Sequence, residues 1–505
     1  MSLVFLLVAL PLGGGFFLPL LDKFWEESRA KELLAWAITL TTTVLAFLSL
    51  GWRGIYQMSG WPPPIGINLV VDGLSAAMLI VVNAIALLVV IYSSKYMEDW
   101  TPTGKFYGLF FLMLAGMNGV ILTGDMFNLF VFLEIASIAS YALVGFRRGG
   151  EELEAAFKYL VLGSIGSSFV IFGVGLLYAA TGNLNMARIS LVLAERGGGG
   201  GALIGITSAF FLVGFGLKAA LVPFHAWLPD AHSSAPAPIS AMLSGVLIKV
   251  LGVYCLMRVF FNVIGIGEVQ ANLLIWGGAI SMVLGALLAV GQEDFKRLLA
   301  YSSISQVGYI VMALGIGGSL LLRGEEAIAG LALLGGFFHL INHAANKALL
   351  FLNSGAIEEA TGTRDLSKMG GLFHRMPLTG MTTLFGVLSI AGIPPFAGFW
   401  SKLIIIVAAL WGGFYPEAAI LIAVSVLTLA YYMRVEREAF FGPVPDRLKS
   451  VREAPAMMNL ATVVLALGAI GLGALYLPGL RELVLQPVSQ VLLEGLRYAR
   501  MVLGG

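Results

Sequence analysis

Residues 202–223 read ALIGITSAFFLVGFGLKAALVP, a largely apolar stretch that carries Lys218 and ends at Pro223. As a helix, about 20 apolar residues cross a hydrocarbon core of about 30 Å. A proline there breaks the helix, and the backbone carbonyls that it frees can hold water. Placing an ionisable side chain in the hydrocarbon core is unfavourable by at least ~2.5 kcal/mol, so such a side chain usually has an ion-pair partner or lines a water-filled path. The stretch therefore predicts a broken transmembrane helix with a functional lysine.

Apolar runs of this kind recur along the whole chain. Of its 505 residues, 58% are hydrophobic and 12% are charged, whereas soluble proteins carry roughly 25% charged residues. This composition excludes a soluble globular enzyme and predicts an all-α polytopic membrane protein. We expect about fourteen transmembrane helices, near residues 2–20, 33–51, 68–93, 106–122, 126–145, 156–180, 202–222, 237–260, 271–290, 299–317, 327–353, 377–409, 414–434 and 456–478.

The overall charge and the cysteine content exclude further classes. Lysine and arginine number 30 and aspartate and glutamate 29, a formal charge of +1, so no basic field attracts nucleic acid. The single cysteine, Cys255, cannot form an internal disulfide or a cysteine-ligated cluster within this chain. We therefore expect no cofactor and no metal in this chain, and we assign any redox chemistry to a partner.

Both ends and one loop carry local signals. The first apolar run lacks a basic leader and an Ala-x-Ala cleavage site, which predicts a retained span and not a signal peptide. Roughly the last 25 residues mix Arg481, Arg497 and Arg500 with leucines and valines, which predicts an amphipathic interfacial helix. The glycine run 197–201 lacks the Lys-Ser/Thr of a phosphate loop, so we expect a flexible outer loop.

Basic residues in loops predict the orientation, because cytoplasmic loops carry the excess of lysine and arginine. With the N-terminus outside, eighteen basic residues fall in cytoplasmic loops and five in outer loops. We expect a multi-pass protein of the inner (plasma) membrane. The five outer residues are Arg53, Arg188, Arg196, Arg258 and Arg323. The four basic residues left in the interior of predicted spans, away from the span ends, are Lys218, Lys249, Lys347 and Lys402.

A faint internal repeat is visible. The segments Phe157-Lys158-Tyr159-Leu160 and Phe295-Lys296-Arg297-Leu298 lie 138 residues apart. Each is followed by a helix with a central lysine and then by a proline-interrupted segment with another lysine. Such halves with broken helices are typical of repeat-built transporters, whose ion path lies near the membrane midplane. The prolines are Pro236 and Pro238 before Lys249, and Pro394 and Pro395 before Lys402.

Glu134 is the one carboxylate that we place in the middle of a predicted span. Asp72 and Asp125 lie near helix ends, where a cap or loop role is the plain interpretation. For Glu134 a structural clamp to a lysine and a proton-path role both remain open. Burial favours the neutral form of Lys218 and a nearby carboxylate favours its charged form, whereas an arginine would stay charged. The lysines therefore favour groups that exchange protons.

His339, His343 and Lys347 follow one another at four-residue intervals and form one polar stripe on a helix. Two histidines at this spacing could bind zinc, but Leu340 replaces the glutamate that a metalloprotease motif needs. We therefore favour a proton relay over a metal site. Snorkelling to the surface is the alternative for membrane lysines. It is weak for Lys249 and stronger for Lys402.

Three motifs resemble one known family over nearly the whole chain. They are TGDMFNLFVFLE at 123–134, GLKAALVPFHAWLPDAH at 216–232 and KRLLAYSSISQ at 296–306. They are similar to the antiporter-like subunits of respiratory complex I, of Mrp sodium/proton antiporters and of membrane-bound hydrogenases. The D-type subunit of Mrp antiporters and its hydrogenase counterpart look most similar, and the lysine at 402 matches the Mrp D type.

The resemblance implies a fold and residue roles. Two inverted five-helix repeats, helices 4–8 and 9–13, would contain broken helices 7 and 12. The implied regions are 1–104 (helices 1–3), 105–262 (first repeat), 263–440 (second repeat) and 441–505 (helix 14 and the terminal helix). Glu134 and Lys218 would form the coupling pair, Lys249 would bridge the halves, the stripe would relay protons, and Lys402 would end the path. Pro223 and His225, with the prolines of the repeat, would support the breaks.

The resemblance also implies partners and a function without bond-breaking chemistry in this chain. Other membrane subunits, including antiporter-like ones, a peripheral redox arm, lipid, protons and sodium are the expected partners. A stand-alone solute carrier would instead need a substrate-sized polar pocket. A passive scaffold would transport normally without its buried charges. A string of ionisable groups from helix five to helix twelve fits a proton path better than either alternative.

Overall fold

The computed structural model describes residues 2–24, 28–98, 103–196 and 201–504. The N-terminal part contains four helices and a small antiparallel ribbon in which Gly54 is paired with Val71. In order, the elements are α1 (Leu6–Phe24), α2 (Ser28–Leu48), β1 (Gly54–Gln57), β2 (Asn68–Val71), α3 (Gly73–Tyr96) and α4 (Thr103–Leu122).

The next part contains one broken helix and one helix with several wide turns. The chain leaves helical geometry between α8 and α9, around Pro223, and α10 passes through several π-helical turns. The elements are α5 (Met126–Val144), α6 (Gly150–Thr181), α7 (Met186–Glu195), α8 (Ala202–Lys218), α9 (Trp227–Ser234) and α10 (Ala237–Val263).

The C-terminal part contains the longest helix, of 36 residues, and a second broken helix. The break lies at Pro394 and Pro395, between α14 and α15. The elements are α11 (Glu268–Val290), α12 (Phe295–Leu322), α13 (Glu326–Thr361), α14 (Pro377–Ala391), α15 (Ala397–Trp411), α16 (Tyr415–Phe440), α17 (Ala456–Tyr476), α18 (Gln486–Leu493) and α19 (Gly495–Leu503).

These helices confirm the predicted all-α polytopic membrane class. Among the described residues, eleven helices are long and apolar enough to cross a membrane, and α1, α8, α14 and α15 are shorter apolar helices. The number fourteen stays a prediction, because it requires α14 and α15 to form one crossing. Pro236 and Pro238 do not interrupt a helix as the sequence suggested, since they lie at the start of α10.

Ion pairs show which helix ends share one face of the bundle. Lys158, near the start of α6, and Arg297, near the start of α12, both contact Asp230 of α9 at 2.9 Å. Lys296 pairs with Glu358, near the end of α13, at 2.6 Å. We call this end of the bundle the basic face. The other end, with β1, β2 and α7, is the opposite face.

Two helix pairs are built alike but run in opposite directions. Asp125 caps α5 and forms a backbone bridge with Asn185, beyond the end of α6. Asp294 caps α12 and forms the same kind of bridge with Asp365, beyond the end of α13. The first pair begins at the opposite face and the second at the basic face, as inverted repeats require. The repeat and domain boundaries themselves stay predictions.

The 138-residue offset found in the sequence does not describe this inverted relation. It aligns α6 with α12, and both of these helices begin at the basic face, where Lys158 and Arg297 meet Asp230. An inverted repeat would instead align helices that run in opposite directions. The two matching segments therefore show only that α6 and α12 both begin with polar residues at the basic face. They do not show that the two helices are equivalent positions of an inverted repeat.

The C-terminal segment differs from the predicted single interfacial helix. It forms two short helices, α18 and α19, in which Val488 and Tyr498 are buried. α18 packs against α3 and α13, and α19 packs against α7. The segment therefore covers the opposite face of the bundle. The predicted glycine loop 197–201 lies, apart from Gly201, outside the described residues.

α10 and α13 form the centre of the bundle, and together they carry Lys249 and the stripe of His339, His343 and Lys347. The apolar window of α10 is wholly buried. Gly252 lets the break after α8 approach this helix, because a Cβ atom at this position would lie 2.5 Å from Ala219. This close approach places the end of α8, with its lysine, beside the helix that carries Lys249.

Candidate functional site

Lys218 lies at the last residue of α8 in a cage of hydroxyl groups. Its Nζ atom donates to Ser137 Oγ at 2.9 Å and to Tyr141 Oη at 3.2 Å. Glu134 Oε1 is 3.9 Å from Nζ and accepts a hydrogen bond from Ser167. The pair predicted from the sequence is thus in contact, but neutral oxygens make the direct hydrogen bonds to the lysine. A small movement of α5 would change the electrostatic interaction between the two charges.

The break after Lys218 is stabilised by an aromatic stack. Trp227 Nε1 donates to the carbonyl of Leu217 at 3.2 Å, and the Trp227 ring stacks on Tyr159 with centroids 4.1 Å apart. The carbonyl of Leu217 also accepts from Ala220 N at 3.1 Å, so the indole and the backbone together close the end of α8. The sequence-based expectation that carbonyls freed by Pro223 can hold water stays a prediction. Pro223 and His225 lie in the break itself, and both are at least partly exposed.

Lys249 lies at the centre of α10 and is 0% exposed. Its Nζ atom donates to the backbone carbonyl of Ser244, and Ser244 Oγ is 2.7 Å from Ser303 Oγ. Snorkelling is therefore wrong for this lysine. In the described part of the chain, no carboxylate oxygen lies within 4.0 Å of its amino group.

The stripe on α13 is present as predicted, and both histidines are buried. His339 is held on both sides, with Nδ1 3.0 Å from Ser401 Oγ and Nε2 3.1 Å from Gln306 Oε1. The His343 ring is nearly parallel to the His339 ring, with centroids 6.4 Å apart. Neither His343 nitrogen has a hydrogen-bond partner among the described residues. Both ring nitrogens of His343 are therefore available to a water molecule or to another group that exchanges protons.

Lys347 repeats the hydroxyl cage of Lys218 without its carboxylate. Its Nζ atom donates to Leu299 O at 2.8 Å, to Tyr432 Oη at 3.1 Å and to Ser302 Oγ. The amino group lies 5.8 Å from the centre of the Tyr432 ring, as Lys218 lies 5.8 Å from that of Tyr141. Within the described ranges, Lys347 has no ion-pair partner.

Lys402 is 3% exposed, so snorkelling is wrong for this residue too. Its Nζ atom donates to Ala391 O at 3.4 Å and lies 4.7 Å from the centre of the Tyr309 ring. The Tyr309 ring is in turn 5.4 Å from the His339 ring. Lys402 therefore adjoins the histidine stripe through one aromatic ring. Pro394 and Pro395, which produce the break before it, are exposed.

Arg258 corrects the expectation that the spans contain no arginine. The sequence placed it in an outer loop, but it lies within α10 and is 3% exposed. It makes a bidentate ion pair with Asp72 at 2.7 and 3.0 Å and lies over the Tyr498 ring at 4.8 Å. Asp72 also caps α3, as predicted, by accepting from Ser75 N at 2.8 Å.

The charge of Asp72 is stable despite its burial. Burial raises the pKa of the Asp72 carboxyl, but the charge and hydrogen bonds of Arg258, with those of Ser75, outweigh this effect and hold the pKa below its usual value. Because both partners of the Asp72–Arg258 pair stay charged, the pair fits a structural role that holds helices together and does not fit proton transfer. It fixes α10 to α3 and to the C-terminal helix α19 at the opposite face.

Sequence reasoning missed one buried histidine inside a motif that it quoted. His232 of α9 is 0% exposed, and neither ring nitrogen has a partner among the described residues. Its ring lies 4.9 Å from the Phe351 ring of α13. The available signal was a histidine beside prolines in an otherwise apolar region. It lies between two predicted spans, in a helix of only eight residues, which is too short for apolar length to reveal.

The arrangement can hold and move protons but offers few ligands for a metal. Within the described residues, no three His, Cys, Asp or Glu side chains lie close enough together to hold a metal ion. The ionisable groups instead follow one another across the bundle, from α5 through α8, α10 and α13 to α15. We call this series the axis; it consists of Glu134, Lys218, Lys249, His339, His343, Lys347 and Lys402. Each amino group is surrounded by hydroxyl, carbonyl or aromatic groups that can support either a charged or a neutral amine.

Two known protein families match this chain. Residues 123–428 match the family described as NADH:quinone oxidoreductase/Mrp antiporter, TM. Residues 63–107 match the family described as NADH-Ubiquinone oxidoreductase (complex I), chain 5 N-terminus. The first match covers more than half of the chain. The chain belongs to the NADH:quinone oxidoreductase/Mrp antiporter family.

Individual relatives of this family member agree with that assignment. The N subunit of NADH-quinone oxidoreductase from Desulforudis audaxviator is 38% identical over 439 residues, which cover 84% of each chain. The D-type subunit of the Na(+)/H(+) antiporter from Alkalihalophilus pseudofirmus is 36% identical over 445 residues, which cover 87% of each chain. The resemblance seen in the sequence motifs is confirmed.

A solved structure supports the same conclusion for the fold. A chain of the Mrp complex from Dietzia sp. DQ12-45-1b superposes with a TM-score of 0.88 at 27% identity. The superposition covers 100% of this chain and 99% of that chain. The all-α architecture with two broken helices is thus that of an antiporter-like subunit.

Proposed function

We propose that this chain is a proton-translocating subunit of a multisubunit ion-pumping membrane complex. The observation that carries the proposal is the row of buried lysines, Lys218, Lys249, Lys347 and Lys402. Among the described residues, only the first of them has a carboxylate within ion-pair distance. Charged amines without counter-charges are costly in a membrane, so groups that gain and lose protons fit these positions.

The proposed transport begins at the contact between Glu134 and Lys218. A conformational or electrostatic change in a neighbouring subunit would move Glu134 away, and Lys218 would lose its counter-charge. Its proton would pass to Lys249, then along His343 and His339 to Lys402, with Lys347 as a further proton-holding site. The long Nζ to Oε1 distance of 3.9 Å supports a contact that is easily changed.

The partners follow from the relatives. The Mrp and NADH-quinone oxidoreductase relatives support an assembly with other membrane subunits, including antiporter-like ones, and with a peripheral redox arm or a sodium-transporting partner. A stand-alone solute transporter is not favoured. No group in the axis requires a cofactor, and we assign redox centres to partner subunits. Protons, sodium and lipid are the proposed small partners.

Replacing Lys218 tests the function in the assembled complex. Lys218→Ala and Lys218→Arg are both expected to abolish proton transport into vesicles and sodium-dependent growth. The arginine keeps the charge but cannot release a proton. Lys449→Ala, an exposed lysine of the basic face, is the matched control. Unchanged transport in Lys218→Ala contradicts the function, and unchanged transport in Lys218→Arg contradicts proton exchange at this residue.

We infer that the basic face is cytoplasmic and that the chain resides in the plasma membrane, with its N-terminus outside, because basic residues concentrate on the cytoplasmic side. The single cysteine, Cys255, is buried, which allows a labelling test. In intact cells, an impermeant thiol reagent is expected to label Glu268→Cys, at the opposite face, but not Lys449→Cys. The reverse pattern contradicts the orientation.

A further inference from the structure

A buried carboxylic acid lies in α16, apart from the axis described above. Glu436 is 2% exposed, and neither of its carboxylate oxygens has a hydrogen-bond partner among the described residues. The sequence placed it beyond the end of the thirteenth apolar run, in a loop. Only the tertiary structure buries it.

The chain segment that follows α13 covers Glu436 at the basic face. The turn 436–440 packs against the short turns Leu366–Lys368 and Leu372–His374. Gly371 N donates to Phe441 O at 3.1 Å, and the rings of Phe373 and Phe441 stack with centroids 6.0 Å apart. The turn that contains Glu436 is thus covered at the basic face by the loop between α13 and α14.

The charged groups near this turn have other partners. Lys368 pairs with Asp365 at 2.8 Å, and Arg437 contacts Glu438 at 3.4 Å. Arg434 donates to backbone carbonyls, among them Val290 O at 2.7 Å. His374 is exposed. None of these interactions supplies a counter-charge to Glu436.

Glu436 and Tyr432 are one helical turn apart, and residues four apart lie on the same helix face. Helical side chains lean toward the N-terminus of their helix, so the Glu436 carboxyl leans toward the turn of Tyr432. Tyr432 Oη is 3.1 Å from Lys347 Nζ and 2.8 Å from Ser302 Oγ. Glu436 and Tyr432 therefore lie along one helix face that leads from the basic face toward Lys347, with no direct hydrogen bond between the two side chains.

We propose that Glu436 is a protonatable site that exchanges protons between the basic face and Lys347 through the Tyr432 hydroxyl. This inference rests on the proposed proton-translocating function and adds an access route to it. An unpartnered ionised carboxylate is unfavourable in a buried position, so Glu436 rests as the neutral acid. It is available as a proton donor whenever Lys347 is neutral.

In the proposed step, the Glu436 acid passes its proton through an intervening water molecule to Tyr432 Oη, while the tyrosine gives its own hydroxyl proton to the neutral amine of Lys347. Glu436 becomes a carboxylate, Tyr432 is unchanged overall, and Lys347 becomes an ammonium. Water at the basic face then returns a proton to Glu436. No electrons move, and only O–H and N–H bonds form and break.

The test compares variants of Glu436 in the intact complex, reconstituted in proteoliposomes. Glu436→Gln is expected to lower proton transport per assembled complex by about tenfold or more, whereas Glu436→Asp retains most of it. Glu438→Gln is the matched control, since Glu438 lies two residues away and is one-third exposed. The infrared carboxylic-acid band of the intact complex is expected to weaken in Glu436→Gln and not in Glu438→Gln.

The outcomes separate this inference from the proposed function. Loss of transport in both Lys218→Ala and Glu436→Gln supports both. Loss in Lys218→Ala with transport retained in Glu436→Gln overturns the role of Glu436 alone. Retention in both overturns the proposed function as well. If Glu436→Gln lowers the amount of complex, an unchanged rate per complex overturns the role of Glu436.

Discussion

Lys218 and Lys347 occupy two buried sites that are alike in their hydroxyl groups and different in charge. Each amino group has one serine and one tyrosine hydroxyl as partners, and each lies 5.8 Å from the centre of the tyrosine ring. Only Lys218 also has a carboxylate, Glu134, at 3.9 Å. Both sites thus bind a buried amino group through hydroxyl groups, and the Lys218 site also contains a carboxylate.

The difference suggests a division of roles. Lys218 has a counter-charge on a different helix, so movement of that helix can change its preference for the proton. Among the described residues, Lys347 has only neutral oxygens as hydrogen-bond partners, so in the proposed transport its neighbours on the axis set its preference for the proton. A lysine beside a movable carboxylate suits coupling of proton release to movement in a neighbouring subunit. A lysine without such a carboxylate suits passing protons along the axis.

Adding a carboxylate to the second site is expected to have the largest effect. Ser302→Asp places a negative charge against Lys347, which favours the ammonium by a factor of roughly ten to a thousand. Proton transport by the reconstituted complex should fall by about tenfold or more. Ser302→Asn, of similar size and without charge, is the control. Equal losses in the two variants would contradict the electrostatic explanation.

Removing the tyrosine hydroxyls sharpens the comparison. Tyr432→Phe and Tyr141→Phe each remove one hydrogen bond to the lysine, worth about 1 kcal/mol or roughly fivefold. Tyr432→Phe also removes the hydrogen bond to Ser302 Oγ. The loss of transport should be greater for Tyr432, because Lys347 has no carboxylate within ion-pair distance in the described ranges and Lys218 keeps Glu134. Initial rates in proteoliposomes measure the difference, with the exposed Tyr178→Phe as control. A greater loss at Tyr141 would refute the division of roles.

The smallest effect is expected at the basic face, where Asp230 joins the starts of α6 and α12. Asp230 contacts Lys158 from α6 and Arg297 from α12. Burial raises the pKa of the Asp230 carboxyl, but these two basic residues outweigh it and leave the pKa below its usual value. The stabilisation is then complete above the unfolded pKa of ~3.9 and is lost as the pH falls through the lower folded value.

Asp230→Asn should therefore lower the free energy of unfolding at neutral pH by about 0.5 kcal/mol or less, since the ion pairs of Asp230 with Lys158 and Arg297 are partly exposed. The difference from the unmodified protein should vanish in acid. Unfolding of the purified protein in detergent, followed as a function of pH, measures it. A difference that grows in acid would be inconsistent with this ion pair.

The helices and most of the axis were predictable because they depend on local features. Apolar length identifies membrane helices, proline identifies the two breaks, and a four-residue spacing places His339, His343 and Lys347 on one helix face. Family motifs added the pair of Glu134 and Lys218. The structure brings this pair into contact and buries the four lysines and the two histidines of the stripe.

Burial of residues beyond an apolar run was not predictable, because it depends on what another part of the chain places over them. Arg258 and Glu436 both lie at the edge of an apolar run, and sequence reasoning assigned both to loops. The C-terminal helix α19 and the anchor Asp72 bury the first. The loop after α13 buries the second.

By itself, the sequence determined that this chain is an all-α membrane protein of the complex I and Mrp antiporter family, with lysines where apolar residues are expected. Those conclusions need only hydropathy and short motifs. Only the tertiary structure decided which oxygens surround each amine, which lysine has a carboxylate, and which acid lies hidden at the basic face. Such choices depend on contacts between helices far apart in the chain, and no local pattern records them.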